Sequence, residues 1–173
     1  MRCLIVFPLL GVLLSACSLS EDSSPFVSEP GGLLETDRTR YEAQFLRDDR
    51  DRIEFDVPFL ARNSTDAPLY LMGCYPPVLE KHVDGAWTAA YDAILQTCLD
   101  PPHVIPGGGE WIDTLRVVAF LPGQNASPTF DVEVEGVYRL RWKIYAGLTD
   151  QESPVGRDPL PPEQQLSNTF EVY

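Results

Sequence analysis

Apolar and polar side chains alternate along this chain in short runs, each bounded by Gly, Pro, Asn or Asp. Ile53, Phe55, Val57 and Phe59 alternate with Arg52, Glu54, Asp56 and Pro58, the period of a strand with one face in a core. Phe130, Val132 and Val134 alternate with Asp131, Glu133 and Glu135, and Tyr138, Leu140, Trp142 and Ile144 with Arg139, Arg141, Lys143 and Tyr145. Further strands are predicted at Arg40–Arg47, Pro68–Gly73, Val78–Val83, Ala86–Ile94, Trp111–Leu121 and Ser167–Tyr173. Asp84-Gly85, between Val83 and Ala86, predicts a two-residue hairpin turn, because both residues tolerate positive φ. No segment repeats its apolar residues at helical spacing. Nine short strands with frequent turns predict an all-β, antiparallel β-sandwich.

Two arrangements fit residues 130–145. A hairpin with a three-residue loop sets Val134 opposite Tyr138 and Val132 opposite Leu140 on the inner face. It sets Glu133 opposite Arg139 and Asp131 opposite Arg141 on the outer one. Alternatively, Glu135-Gly136-Val137-Tyr138 resembles the tyrosine corner of immunoglobulin-like domains, opening a strand that carries an inward Trp142. The segment Ser167-Asn168-Thr169-Phe170-Glu171-Val172 resembles the last strand of bacterial immunoglobulin-like lipoprotein domains. Asn63-Ser64-Thr65, Asp84-Gly85-Ala86-Trp87 and Pro106-Gly107-Gly108 together are similar to the small β-sandwich domain of the Bacillus intracellular proteinase inhibitor. These resemblances span about Arg52 to Tyr173 and imply an immunoglobulin-like β-sandwich, without a function that travels with the fold.

The N-terminus has a different pattern. Arg2 precedes an apolar run from Cys3 to Leu14, broken only by Pro8 and Gly11, and Ser15, Ala16 and Cys17 follow. A basic start, a short apolar run and small residues describe a secretory signal peptide over 1–16, shorter than the roughly 20 residues of a spanning helix. Leu14-Ser15-Ala16-Cys17 resembles the lipobox of bacterial lipoproteins. That resemblance implies cleavage before Cys17, a diacylglyceryl thioether on its sulfur and an acylated α-amine, which anchor the chain to a membrane. Ser18 after the Cys implies the outer membrane if the host has one, and Glu21-Asp22 resembles the export signals of some surface-exposed lipoproteins. Residues 17–35, rich in Ser, Glu, Pro and Gly, predict a flexible tether, and 36–173 the sandwich.

Composition narrows the function classes. The 173 residues carry 13 Lys+Arg against 26 Asp+Glu, a formal charge of −13. Nucleic-acid binding needs a basic surface and is not expected. The apolar share of 44% supplies a real core.

Candidate chemistry is sparse. With Cys3 in the leader and Cys17 lipidated, Cys74 and Cys98 are expected to pair in an oxidising compartment. The bridge would close about 24 residues and contribute roughly 3 kcal/mol. Adding His82 and His103 makes a set of metal-ligand types, but the spacing lacks the close cysteine pair of structural zinc and the Met of a blue-copper loop. No metal or other cofactor is expected. Asp48-Asp49-Arg50-Asp51 lacks the Gly and distal Glu of a calcium loop. Gly107-Gly108-Gly109 precedes a strand where a phosphate loop would precede a helix. No Gly-x-Ser-x-Gly turn occurs, and no enzyme is expected. The cationic stripe Arg139, Arg141, Lys143 is expected to pair with acids on a neighbouring strand.

The remaining feature is the segment Thr149–Gln165, with Pro154, Pro159, Pro161 and Pro162. Loops of this length are unusual in compact domains and often functional. Pro154, Arg157, Pro159, Leu160 and Pro161 form a candidate binding loop at a sandwich tip, or else the segment passes inertly over a sheet edge blunted by proline. The leading expectation is a non-enzymatic, lipid-anchored interaction or structural module of the bacterial envelope with an envelope protein as partner. The alternative is an extracytoplasmic protease inhibitor that uses the 149–165 loop.

Overall fold

The computed structural model describes residues 32–47, 51–93, 100–149 and 155–173. Within them run β1 (Leu34–Thr36), β2 (Arg40–Tyr41), β3 (Gln44–Arg47), β4 (Asp51–Arg62), β5 (Leu69–Leu71), β6 (Val78–Val83) and β7 (Ala86–Tyr91). β8 (His103–Ile105), β9 (Glu110–Phe120), β10 (Gly136–Arg141), β11 (Ile144–Leu148), β12 (Gly156–Pro159) and β13 (Phe170–Val172) follow. A 3₁₀ turn, Pro162–Gln165, precedes β13.

The strands make three hydrogen-bonded sheets. In the first, β1 and β3 share one edge of β4 while β9 lines the other; the second runs β2-β13-β10-β6-β7 and the third β12-β11-β5-β8. Pairing is antiparallel except between β13 and β2. Inner faces of all three sheets meet in one apolar cluster, so the fold is an all-β sandwich. The Phe59 ring meets Trp142 edge-on at 5.5 Å, and Phe55 meets Phe130 at 6.4 Å.

β4 shows how alternation becomes structure. Ile53, Phe55, Val57 and Phe59 are all buried. Pro58 fits mid-strand because its carbonyl accepts the Asp37 N–H on the β1–β3 side, and its missing N–H faces the gap between those two strands. The Asp84-Gly85 hairpin forms as predicted. Val83 pairs with Ala86, with φ at 49° and 85° in the turn, the mirror-image geometry that matches strand twist.

Several predicted elements differ. Arg40–Arg47 is two strands in different sheets, because Ala43 N–H turns to the Tyr173 carbonyl while β3 pairs with β4. Phe130–Glu135 forms no strand: Phe130 N–H bonds to Phe120 and Asp131 N–H to Ala90. The segment crosses from β9 to β7, its inward Phe130 and Val134 still buried, so the hairpin arrangement is not adopted. Tyr138–Tyr145 breaks at Trp142-Lys143, where Trp142 N–H bonds to the Gln165 carbonyl and the chain passes to the third sheet. The ordered sandwich begins before residue 36. Leu34, within the expected tether 17–35, is buried between Ala61 and Ser167 because the apolar Leu33-Leu34 pair gains more from the core than from water. β8 and β12 were not predicted; both are short edge strands without clear alternation.

Tyr138 lies at the start of β10. Its buried hydroxyl donates to the carbonyls of Glu133, at 3.1 Å, and Val134. Beside it Gly136 has φ 151°, and a Cβ there would stand 2.5 Å from Lys81 Cε. Asn63, fully buried, ties two turns together: its amide donates to the carbonyls of Ala67, Ile105 and Pro106.

Candidate functional site

At one tip of the sandwich the second sheet ends in three places: before Val78 of β6, after Tyr91 of β7 and after Arg141 of β10. Tyr75-Pro76-Pro77 turns the chain into β6, and proline keeps this corner out of the ladder. Tyr75 is pinned by its backbone, since its N–H donates to the Met72 carbonyl and its own carbonyl accepts the Trp142 indole N–H. The residue is 68% exposed.

Two cavities flank this ring. One, of about 530 Å³, is walled by Tyr75, Trp142, Lys143, Tyr145 and Val155. The other, of about 540 Å³, is walled by Tyr75, Asp92, Thr129 and Asp131. Cys74, Tyr75, Asp92 and Ala93 border both, so they form one cleft with a ridge. The chambers differ in charge. Lys143 lines only the first and Asp131 only the second, while Asp92 lies on the wall they share; all three are exposed and make no ion pair with the described residues. The Tyr145 ring lies against Gly156 of β12, where a Cβ would stand 2.5 Å from it.

The predicted binding loop is only in part a loop. Gly156–Pro159 pairs with β11, the Leu160 N–H bonds to the Ile144 carbonyl, and Pro162–Gln165 closes a 3₁₀ turn whose Gln165 side chain donates to the Leu160 carbonyl. Arg157 is exposed and bridges its neighbour Asp158 at 3.0 Å; Pro159 and Pro161 are exposed, while Leu160 packs against the core. Pro154 lies outside the described residues. Of this segment, Val155 and Gly156 reach the cleft. Nothing local in the chain marks Tyr75, Asp92, Asp131 and Tyr145 as one site, because their approach is set by segments distant in sequence. The available signal was Tyr75-Pro76-Pro77 itself, an aromatic beside a proline pair.

Cys17 and Cys98 lie outside the described residues. Cys74 Sγ lies 3.7 Å from the carbonyl of Asp100, and Gly73 packs against Asp100 and Pro101 so closely that a Cβ would overlap them. His82 lies tilted against Trp87 at 5.1 Å, and His103 stacks on Trp111 at 4.3 Å. No group of three or more His, Cys, Asp and Glu stands together to hold a metal among the described residues. The aspartates 48 and 49 lie outside those residues.

The cationic stripe divides as its residues do. Arg139 and Arg141 both bind Glu80 of the neighbouring β6, at 2.8 and 2.5 Å, and Arg139 also lies 4.2 Å over the Trp87 ring. Lys143 stands beyond the strand end, in the cleft. Burial pushes the phenols of Tyr138, Tyr41 and Tyr91 above their ordinary range, and at Tyr41 a 2.6 Å hydrogen bond to Asp37 adds to it.

No protein-family model matches the chain, and no curated protein matches it.

Proposed function

We propose that this chain is a lipid-anchored, non-enzymatic interaction module of a bacterial envelope, an immunoglobulin-like sandwich that holds a protein partner at the Tyr75 cleft. The observation that carries this reading is the Tyr75 ring, anchored by its backbone to Trp142 and exposed between two cavities. Concave, mostly apolar sites with a few polar groups are where proteins bind their ligands. The Tyr138 corner supports the immunoglobulin-like assignment. The Leu14–Cys17 lipobox supports the anchor. Cys74 beside Asp100, two residues past Cys98, supports the expected bridge, which would staple one wall of the cleft.

The inhibitor reading asks residues 149–165 to enter a protease cleft. Pairing of Gly156–Pro159 with β11 ties the Arg157 backbone to the sheet, which favours the first reading.

In cells, a photo-crosslinking residue in place of Tyr75 is expected to join a discrete envelope protein, and one in place of Val137, exposed on the outer sheet face, is not. Equal crosslinking at both positions would overturn the cleft as the binding site. Cys17→Ser is expected to release the folded chain from membranes; retention after a high-salt wash would place the anchor elsewhere. Mass mapping without reductant is expected to find Cys74 joined to Cys98.

A further inference from the structure

The two chambers differ in polarity, and that difference specifies a ligand class. This inference rests on the cleft being the binding site. Arg141 borders the Tyr145 chamber but is held by Glu80, so Lys143 is the cation left to meet a ligand there. Trp142, Tyr145 and Val155 surround it with apolar surface. Across the Tyr75 ridge, Asp131 stands on the wall of the second chamber, which no Lys or Arg lines among the described residues, and Asp92 stands on the wall shared with the first. Thr129 and Ser127 add polar atoms to that chamber. Each chamber has the volume of a small-ligand site, and the shared walls make them contiguous.

We propose that the cleft binds an extended peptide segment of its partner, with a basic side chain between Asp92 and Asp131 and an apolar side chain in the Tyr145 chamber. A carboxylate next to that apolar side chain faces Lys143. The Tyr75 ring carries the backbone between the two side chains. The direction of the peptide follows from charge, because the reversed peptide would set its carboxylate against two aspartates and its cation against Lys143. The overall charge of −13 draws the basic end in first.

The test uses the full-length chain in detergent micelles and blocked peptides with one Lys, one Phe and an adjacent Glu, the Lys–Phe spacing varied from one residue to four. Fluorescence anisotropy is expected to find one spacing that binds. Against it, Asp131→Asn is expected to weaken binding about fivefold, while the same peptide with Lys changed to Gln is indifferent to that substitution. Lys143→Gln is expected to show the matching dependence on the peptide Glu. Both residues are exposed, so neither change threatens the fold. If no spacing binds at about 1 mM, or if each variant weakens charged and neutral peptides equally, the inference is overturned. Crosslinking from position 75 that persists in the Asp131→Asn, Lys143→Gln double variant would retain the cleft as a site and reject its charge polarity. Loss of position-75 crosslinking in the unaltered chain would reject the site itself.

Discussion

The indole N–H of Trp142 donates to the backbone carbonyl of Tyr75, 67 positions away. The bond joins the core, where Trp142 meets Phe59, to the exposed rim of the cleft. Trp142→Phe is expected to keep the ring contact and lose the anchor. Stability should fall by about 2 kcal/mol, from the lost hydrogen bond and the smaller ring. Denaturant titration measures this. An unchanged midpoint would show that the rim is held by other contacts.

Tyr138→Phe removes the hydroxyl that satisfies the Val134 carbonyl, while the Glu133 carbonyl still accepts from Lys81 Nζ at 2.6 Å. The expected cost is about 1–2 kcal/mol. The same residue sets an alkaline limit. A buried phenol with a raised pKa favours the neutral form in the folded state, so its contribution is fully present below the unfolded value of about 10 and is lost as pH rises above it. Thermal midpoints should be level up to about pH 9 and fall beyond pH 10, with a shallower fall in the variant. Equal slopes in the two proteins would contradict this.

Glu80 is buried and binds Arg139 and Arg141 together. Glu80→Gln leaves two guanidinium groups without their carboxylate. The expected loss is about 2 kcal/mol, below the usual range for breaking a buried pair because Arg141 is 42% exposed and water screens it. Urea midpoints of the parent and variant test it. A loss that vanishes in 1 M salt would mean the cluster is screened like a surface pair.

Replacing Gln151–Glu163 by a short Gly/Ser linker would scarcely matter if the segment only closed a loop, since closure entropy grows slowly with length. The structure indicates a larger effect, because β12, Leu160 and the start of the 3₁₀ turn are removed. The thermal midpoint should fall by more than about 5 °C, the response of a domain this size to well over 1 kcal/mol. A smaller shift would mean that β12 adds nothing to the sandwich.

The elements legible in the chain were those whose own pattern carried the information. Ile53 to Phe59 alternate over a full strand and lie against the core as read, and Asp84-Gly85 carries its turn in its own backbone preferences. Tyr138 and Leu140, from the alternation after Gly136, are likewise buried. Period alone did not say which neighbour each strand would take. Phe130 and Val134 are as buried as a strand face would be, yet the backbone of this segment bonds to β9 through Phe130 and to β7 through Asp131, because burial depends on side-chain direction and hydrogen bonding on what lies alongside. Gly156–Pro159 reads as loop from its prolines and becomes a strand because Tyr145 and Ile144 of β11 present it with an open edge. The cleft is the extreme case. Tyr75, Asp92, Asp131 and Lys143 come from four separate segments, and their meeting point depends on where three strands of one sheet end. Local alternation therefore determines faces and turns, within reach of a few residues. Register, sheet membership and the shape of the tip are decided by long-range pairing, which only the folded chain contains.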